Sequence, residues 1–543
     1  MKTLLKKNIT FLYILAILVA AGGLYGRFLS SPIVFDDFYM FAGNTLADYG
    51  HSYFSFTLRW LPYATLGWTW NTFGENLIWF RLGNLLLHAA TAVALFFFLN
   101  SLFETVLPQE KDRLSHAAYA FFGALLFALH PVAVFAAGYL VERSIVMATL
   151  FGLLTLYAYL QGLLLKNNRW FVASACFYFL AVFSKEHAVM IPAVALALTV
   201  LVESPSKALF KRIALPFIFF ALIGILIILK SKGVLGASYE PFALDMLKDL
   251  SDSGEKIDRA QAYPLSIATQ SLLFFKYLGL WLLPNPIWMS VDMREPFASS
   301  LLDWHYLLAM AGFLAYGGIA LWLLLQRGKK GLAGFAMLFP WLLFATEFST
   351  VRIQESFVLY RSYLWMSGIF AALPVLFCLV SARKAAIWLV LLCLFYVPLS
   401  LDRLQDFSNP LYLWDDAARL VERKQDLPGV ARIYHNRGIS FAHVFMKTKA
   451  LEDYNTALRL KPDDSYTYND RGALFYDWGK YPEAMRDFDK AISLEADVGH
   501  FYWARGKVFE ATGDMSSAQT NYRQGCQLGE KRACDKLAGM KGK

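Results

Sequence analysis

The chain has 543 residues, 57% of them hydrophobic and 16% aromatic, with a mean hydropathy of +0.42. Such apolarity excludes a water-soluble protein with a polar skin. The net charge of +9 gives no sign of nucleic-acid binding, because the basic residues fall in short loops between apolar segments and not in one patch.

The first segment, Ile9 to Leu24, is almost continuously apolar and about the length that crosses a hydrocarbon core. It lacks a small-x-small exit and further spans follow, so it reads as a retained span and not a cleaved signal peptide. Just beyond it come Asp36 and Asp37, in the run Ser30-Ser31-Pro32-Ile33-Val34-Phe35-Asp36-Asp37. Two adjacent anions at a membrane border repel each other and gain nothing from lipid. They suit a cation, a phosphate-bound metal or a proton in transfer; a solvated acidic loop that ends the helix is the plainer alternative. The run from Tyr53 to Trp70 is rich in aromatics and reads as an amphipathic segment at the same membrane border.

Eleven segments read as spans: 8–28, 77–100, 116–138, 144–164, 170–184, 187–203, 213–230, 305–325, 332–348, 366–382 and 386–400. Lys2, Lys6, Lys7, Lys111, Arg113, Lys166, Arg169, Lys207, Lys211, Arg212, Arg327, Lys329, Lys330, Arg383 and Lys384 then share one side, the cytoplasmic one by the charge rule. Asp36 and Asp37 lie on the other. Ala268 to Leu283 is apolar enough to span, but if it crosses, Arg327 to Lys330 move to the outer side. It therefore reads as a re-entrant or interfacial segment, which leaves the C-terminal tail outside.

After about Leu401 the spans stop and a 34-residue period begins. Arg437-Gly438, Arg471-Gly472 and Arg505-Gly506 mark it; so do Ala450, Ala484 and Ala518, then Tyr454, Phe488 and Tyr522, then Ala457, Ala491 and Gly525. Small residues where two helices cross, with an aromatic filling the groove, make this a tetratricopeptide-type array of about three repeats. The fold class is thus all-α, a polytopic membrane helix bundle over 1–402, a linker or leading helix over 403–430 and an α-solenoid over 431–543. Cys176, Cys378 and Cys393 lie in spans as packing residues. Cys526 and Cys534 are admissible as a disulfide if the tail meets an oxidising compartment, and as free thiols if it does not.

The order of motifs along the chain resembles that of polytopic GT-C glycosyltransferases with appended tetratricopeptide repeats, such as the transmembrane O-mannosyltransferases and their bacterial relatives. The motifs are Phe35-Asp36-Asp37, then Arg59-Trp60-Leu61-Pro62, then Phe80-Arg81-Leu82-Gly83-Asn84 through His88. His130-Pro131, Glu142-Arg143, Ser184-Lys185-Glu186 and Leu359-Tyr360-Arg361-Ser362-Tyr363 follow. Arg81, Phe135 and Tyr360 depart from the family's usual His and acidic residues, which leaves room for a different sugar or acceptor. The resemblance implies a GT-C-like bundle and inverting transfer of a sugar from a polyprenyl-phosphate donor to an extracytoplasmic acceptor, a protein hydroxyl foremost. It implies Asp36 or Asp37 as the base or as the ligand of a divalent cation, and Arg143, Lys185 and Arg361 as holders of the donor phosphate. Arg59, His88, His130, Glu142, Glu186 and Tyr363 are supporting candidates. For Asn84 and His88 interhelical hydrogen bonding is the plainer role, and for His130-Pro131 the ending or kinking of a span. The expected location is a bacterial inner membrane, with the site and the repeats facing out and the repeats engaging a protein acceptor or partner. No Gly-rich phosphate loop or Rossmann fingerprint is present. The rival readings are a ligase or polymerase of lipid-linked oligosaccharides, whose wide cavity the 231–263 loop would shape, a membrane-anchored repeat scaffold without catalysis, and a transporter.

Overall fold

The computed structural model describes residues 2–41, 43, 45–110, 112–238, 246 and 259–541. Lys111, residues 239–245 and 247–258 of the expected cavity-shaping loop, and the side chains of Lys2, Lys6 and Lys7 lie outside the described residues. The chain forms two compact units, Met1–Asn409 and Pro410–Lys543. Among the described residues both are helical, and the only extended pairing is a single bridge between Met293 and Phe357.

In the first unit, long apolar runs become helices because lipid or protein interior leaves backbone amides no partner outside the helix. Polar residues cut the runs: Asn76, Ser115, Asn167, Ser206 and Asp303 each cap a helix N-terminus by accepting a backbone N–H. Where helices cross closely, glycine is required. A Cβ on Gly334 would stand 2.3 Å from the backbone N of Leu324 and 2.5 Å from the Ala320 carbonyl, so helix Gly328–Phe344 meets helix Trp304–Leu325 backbone to backbone.

Among the described residues eight helices are long and apolar enough to cross a membrane, or nine if the pair His116–Leu129 and Pro131–Ala137, bent by 63°, counts as one. The nine include Gln261–Leu282, expected to re-enter, and leave out three of the eleven expected spans, 170–184, 187–203 and 366–382. Helices Asn168–Ser184 and Glu186–Val202 are shorter than the others. The expected span at 366–382 is a broken descent, in which 3-10 pieces Leu359–Arg361 and Ser367–Ala372 alternate with helices Ser362–Met366 and Leu373–Leu376. Three features break it: Ser362 and Ser367 hydroxyls bond carbonyls three residues back, Gly368 lies flat against the Phe339 ring, and Pro374 withholds a donor.

The loops gather at two ends. At one, Arg327 donates to the Val200 and Glu203 carbonyls, Lys329 pairs with Glu110, Arg113 donates to the Val380 carbonyl and Ala382 N–H to the Asp112 carbonyl. At the other lie residues 29–41, 45–76, 138–142, 185–187 and 347–361, tied by the contacts described below. The broken descent therefore runs from one end to the other. Helix Arg259–Leu282 is bonded to the segment that precedes and begins this descent. Tyr263 donates to the Phe348 carbonyl, Gln270 to that of Ser356, Tyr277 to that of Val358, and the Trp281 indole to the Ser362 hydroxyl. It thus runs alongside 348–362 over most of its length.

The second unit is built of three helical hairpins, Val430–His443 with Lys447–Leu460, Ser465–Asp477 with Tyr481–Leu494, and Gly499–Ala511 with Met515–Gln527. A Cβ on Gly438, Gly472 or Gly506 would stand 2.7–2.9 Å from the ring of Tyr454, Phe488 or Tyr522, which is why glycine and aromatic recur together. The arginine beside each glycine forms a ladder. Arg437 and Arg471 make two-pronged pairs with Asp453 and Asp487, and Arg505 donates to Asn521. Each also reaches back to the preceding helix, to Asp415, Asn455 and Asp489. Asp415 sits on helix Pro410–Val421, so that helix holds the place of a second repeat helix and the array starts with a half-repeat. At the far end helix Lys531–Lys541 is tied on by a Cys526–Cys534 disulfide.

Arg471→Ala strands the Asp487 carboxylate and is expected to cost about 1–3 kcal/mol. Arg471→Lys restores only part, since an ammonium lacks the planar fork. Denaturant titration of the full-length protein, read by proteolysis of the repeats, measures this; an unchanged midpoint for Arg471→Ala would remove the ladder as a source of stability.

Candidate functional site

The end of the bundle that carries the Asp pair also holds most of its buried ionisable groups, and the first loop is clamped there. Arg81, buried near the start of helix Leu77–Val106, donates from Nε to the Ser31 carbonyl and from Nη1 to the Gly138 carbonyl, both at 2.8 Å, and from Nη2 to the Pro32 carbonyl. Asp37 is fully buried and accepts the N–H of Val34 at 3.3 Å and of Val141 at 3.0 Å. Between them, Phe35 is held in the left-handed region with φ of 51°, an uncommon state for a bulky residue that persists only where its surroundings enforce it.

The two carboxylates therefore divide. Asp37 is a closed, amide-bonded fastener. Asp36 is half-buried, and its own N–H donates to the Tyr139 hydroxyl at 2.8 Å. Burial pushes the Asp37 carboxyl up to about 7, against the pull of Arg81 and of the Val141 and Val34 N–H groups. The pair thus offers one accessible carboxylate and does not by itself make a two-carboxylate cation site. Among the described residues no three His, Cys, Asp or Glu side chains converge as a metal's ligands would.

Beyond Tyr139 lies an ion-pair network. Lys185 Nζ meets Glu142 Oε2 at 2.6 Å and stands 4.6 Å from the centre of the Tyr360 ring. Arg361 pairs with Glu347 at 3.2 Å and with Glu355 at 2.9 Å. Glu347, fully buried, also meets Arg352 at 3.4 Å and His187 at 3.1 Å. Arg59, itself left-handed with φ of 58°, is paired with Glu186 at the edge. Burial lowers the Lys185 ammonium and Glu142 raises it, while burial and the nearby carboxylates push the Tyr139 and Tyr360 hydroxyls well up. Exposed aromatics Tyr53, Phe54 and Phe56 stand at the same end, with Phe54 and Phe56 near the Phe179 ring.

The structure thus brings Asp36, Asp37, Glu142, Lys185, Glu186, Arg59 and Arg361 to one end. It separates the others from that network. Arg143 is buried with its donors directed at Asn84 Oδ1 at 2.7 Å, the Thr65 hydroxyl and the Phe80 carbonyl, all neutral acceptors. His88 bridges the Tyr363 hydroxyl at 2.6 Å and the Ala128 carbonyl at 3.0 Å. His130 accepts the Val132 N–H at the 63° bend and turns its other nitrogen to the Trp281 carbonyl. Sequence reasoning missed Glu347, His187 and Tyr139. Glu347 was visible as the one acid closing an otherwise apolar segment.

Because Asp37 titrates near 3.8 when unfolded and about 7 when folded, the folded state holds its proton more tightly. The stability so supplied is complete below the unfolded value and lost as pH rises through about 7. The thermal midpoint is expected to fall as pH rises from about 4 to about 7. Asp37→Asn, which keeps one carbonyl oxygen for two amide donors, should flatten that slope and cost about 1–3 kcal/mol. A wild-type midpoint that rises over this interval would contradict the assignment.

No protein-family model and no curated protein matches the chain. Among solved structures, two crystal structures of MamA are similar at 20% identity and a TM-score of 0.22, covering 25% and 28% of this chain and 79% and 84% of theirs. The crystal structure of yeast Tom70 is similar at 13% identity and a TM-score of 0.19, over 76% of this chain and 73% of that one.

Proposed function

We propose that the chain is a membrane glycosyltransferase that moves a sugar from a polyprenyl-phosphate donor to a hydroxyl on a protein. The observation that carries this reading is the division of the Asp pair: one carboxylate is spent on fixing the loop, and its neighbour is left half-buried against a tyrosine and a network of paired cations. Fixing a reacting group on a clamped loop is what orientation-dependent chemistry needs. The ordered motifs set out above support the same class.

In this reading Asp36 takes the proton of the acceptor hydroxyl as its oxygen bonds to the sugar's anomeric carbon. The bond from that carbon to the phosphate oxygen breaks, and its electron pair leaves with the polyprenyl phosphate. One displacement inverts the anomeric centre. Lys185 and Arg361, each paired with carboxylates of Glu142, Glu347 or Glu355, set the electrostatic surroundings of Asp36 at this end of the bundle. The repeats engage the protein that carries the acceptor.

The second reading is a membrane-anchored repeat scaffold without catalysis. It is favoured by the pairing of Lys185 and Arg361 with carboxylates, and by the exposed Phe445, Tyr466 and Trp478 on the solenoid.

Asp36→Asn is expected to lower transfer by about 10²–10⁴-fold, the usual worth of a general base, while the protein stays abundant and folded. Mass spectrometry of envelope glycoproteins and of lipid-linked sugars, in cells carrying either form, reads both sides of the reaction. A lost glycan with an accumulated donor supports the transferase. Unchanged glycans, with a partner still retained through the repeats, move the assignment to the scaffold.

A further inference from the structure

The three cations that the sequence offered for the donor phosphate are all engaged, Arg143 with neutral acceptors and Lys185 and Arg361 with carboxylates. Arg27 is different. It lies in the 3-10 turn Gly26–Phe28 that follows the first span, it is exposed, and among the described residues it makes no ion pair or hydrogen bond. It borders two hollows at once. One is a polar cleft of about 430 Å³, lined with Arg27 by Ser30, Ser31, Pro32, Leu401, Gln405 and Ser408. The other is an apolar groove of about 480 Å³ between helices Lys2–Tyr25, His116–Leu129 and Ala382–Phe407, whose walls include Val19, Leu24, Phe121, Leu125, Leu394 and Val397. Arg27 and Leu401 line both.

We infer that these two hollows together are the seat of the polyprenyl-phosphate substrate, with the isoprenoid tail in the groove, the phosphate on Arg27 and its sugar in the polar cleft. This deepens the transferase reading and rests on it. Charge complementarity selects the head, since the only ionisable group among the residues lining either hollow is cationic, apart from the weakly acidic thiol of Cys393. A guanidinium with its donors unspent is matched to phosphate oxygens. The groove opens where Val19 and Leu394 are exposed on span helices, so a membrane lipid enters it sideways without crossing a polar surface. The polar cleft adds hydroxyl and amide groups of the kind that bond sugar hydroxyls, which a bare apolar groove would lack. Ser31 and Pro32, which line the cleft, are the residues whose carbonyls Arg81 grips, and the same turn leads into Asp36.

The test uses the full-length protein in nanodiscs with a diazirine-bearing polyprenyl phosphate as the probe. Photolabel is expected on peptides containing Phe121 and Leu394, to be displaced by unlabelled polyprenyl phosphate, and to resist excess phosphatidylglycerol. Arg27→Ala should weaken capture about ten-fold or more, the usual loss of a charge-assisted contact, and Arg27→Lys should restore part of it. Val397→Trp, which fills the groove and leaves Arg27 in place, should lower labelling on its own. Capture unchanged in both Arg27→Ala and Val397→Trp overturns the proposal; so does equal displacement by phosphatidylglycerol, which would make this a bilayer-lipid groove. Asp36→Asn separates the two readings. If it abolishes transfer while no label enters the groove, the seat is wrong and the transferase stands. If label enters specifically but the intact protein transfers no sugar, the seat stands and the transferase falls.

Discussion

Everything proposed for the membrane unit depends on the grip of Arg81 on the first loop. One guanidinium, buried among helices, directs its donors at the carbonyls of Ser31, Pro32 and Gly138. A buried cation is costly unless its donors are satisfied and a counter-charge is near. Asp37 supplies that charge while accepting the Val34 and Val141 amides. The two residues thereby join the turn after the first span to the loop at 138–142. Asp36, Tyr139 and the cleft at Arg27 take their positions from this junction. That Asp37 titrates near neutrality follows from the same burial, set against the pull of Arg81 and of the two amides.

The network around Glu347 shows how charge is tolerated at such a place. His187, Arg352 and Arg361 come from different segments to one carboxylate, and Arg361 continues to Glu355. Each member offsets the desolvation of the next, whereas a single uncompensated removal would leave a buried charge. The solenoid uses a milder form of the same chemistry. Its arginines sit near the surface, and their repetition at 34 residues ties each hairpin to the one before. Asp415 extends that ladder one helix ahead of the recognisable repeats, which is why the second unit begins at Pro410.

Much of this was legible in the sequence. Continuous apolar runs specified the spans, the 34-residue period specified the solenoid, and the rule that charges are rare in membrane segments gathered Asp36, Lys185 and Arg361 at one end. The span at 366–382 is broken where local rules conflict. Residues 366–382 are apolar but contain Ser367, Gly368 and Pro374, and packing against Phe339 resolves them into short pieces. Residues 261–282, part of which was expected to re-enter, form one continuous apolar helix whose side chains bond the 348–362 segment along its length.

Hydropathy, period and turn chemistry are local properties, so the sequence by itself determined an all-helical chain, its two-part organisation and the end of the bundle where ionisable groups collect. Which of two neighbouring carboxylates is a fastener and which stays half-exposed was decided only in three dimensions, because the amides that bond Asp37 come from residues 34 and 141 and the charge that acts on it from Arg81. The same holds for the cations. Arg143, Lys185 and Arg361 look alike along the chain as arginines and a lysine near span ends, but burial and partner choice commit them differently, and among the described residues no acid pairs with Arg27.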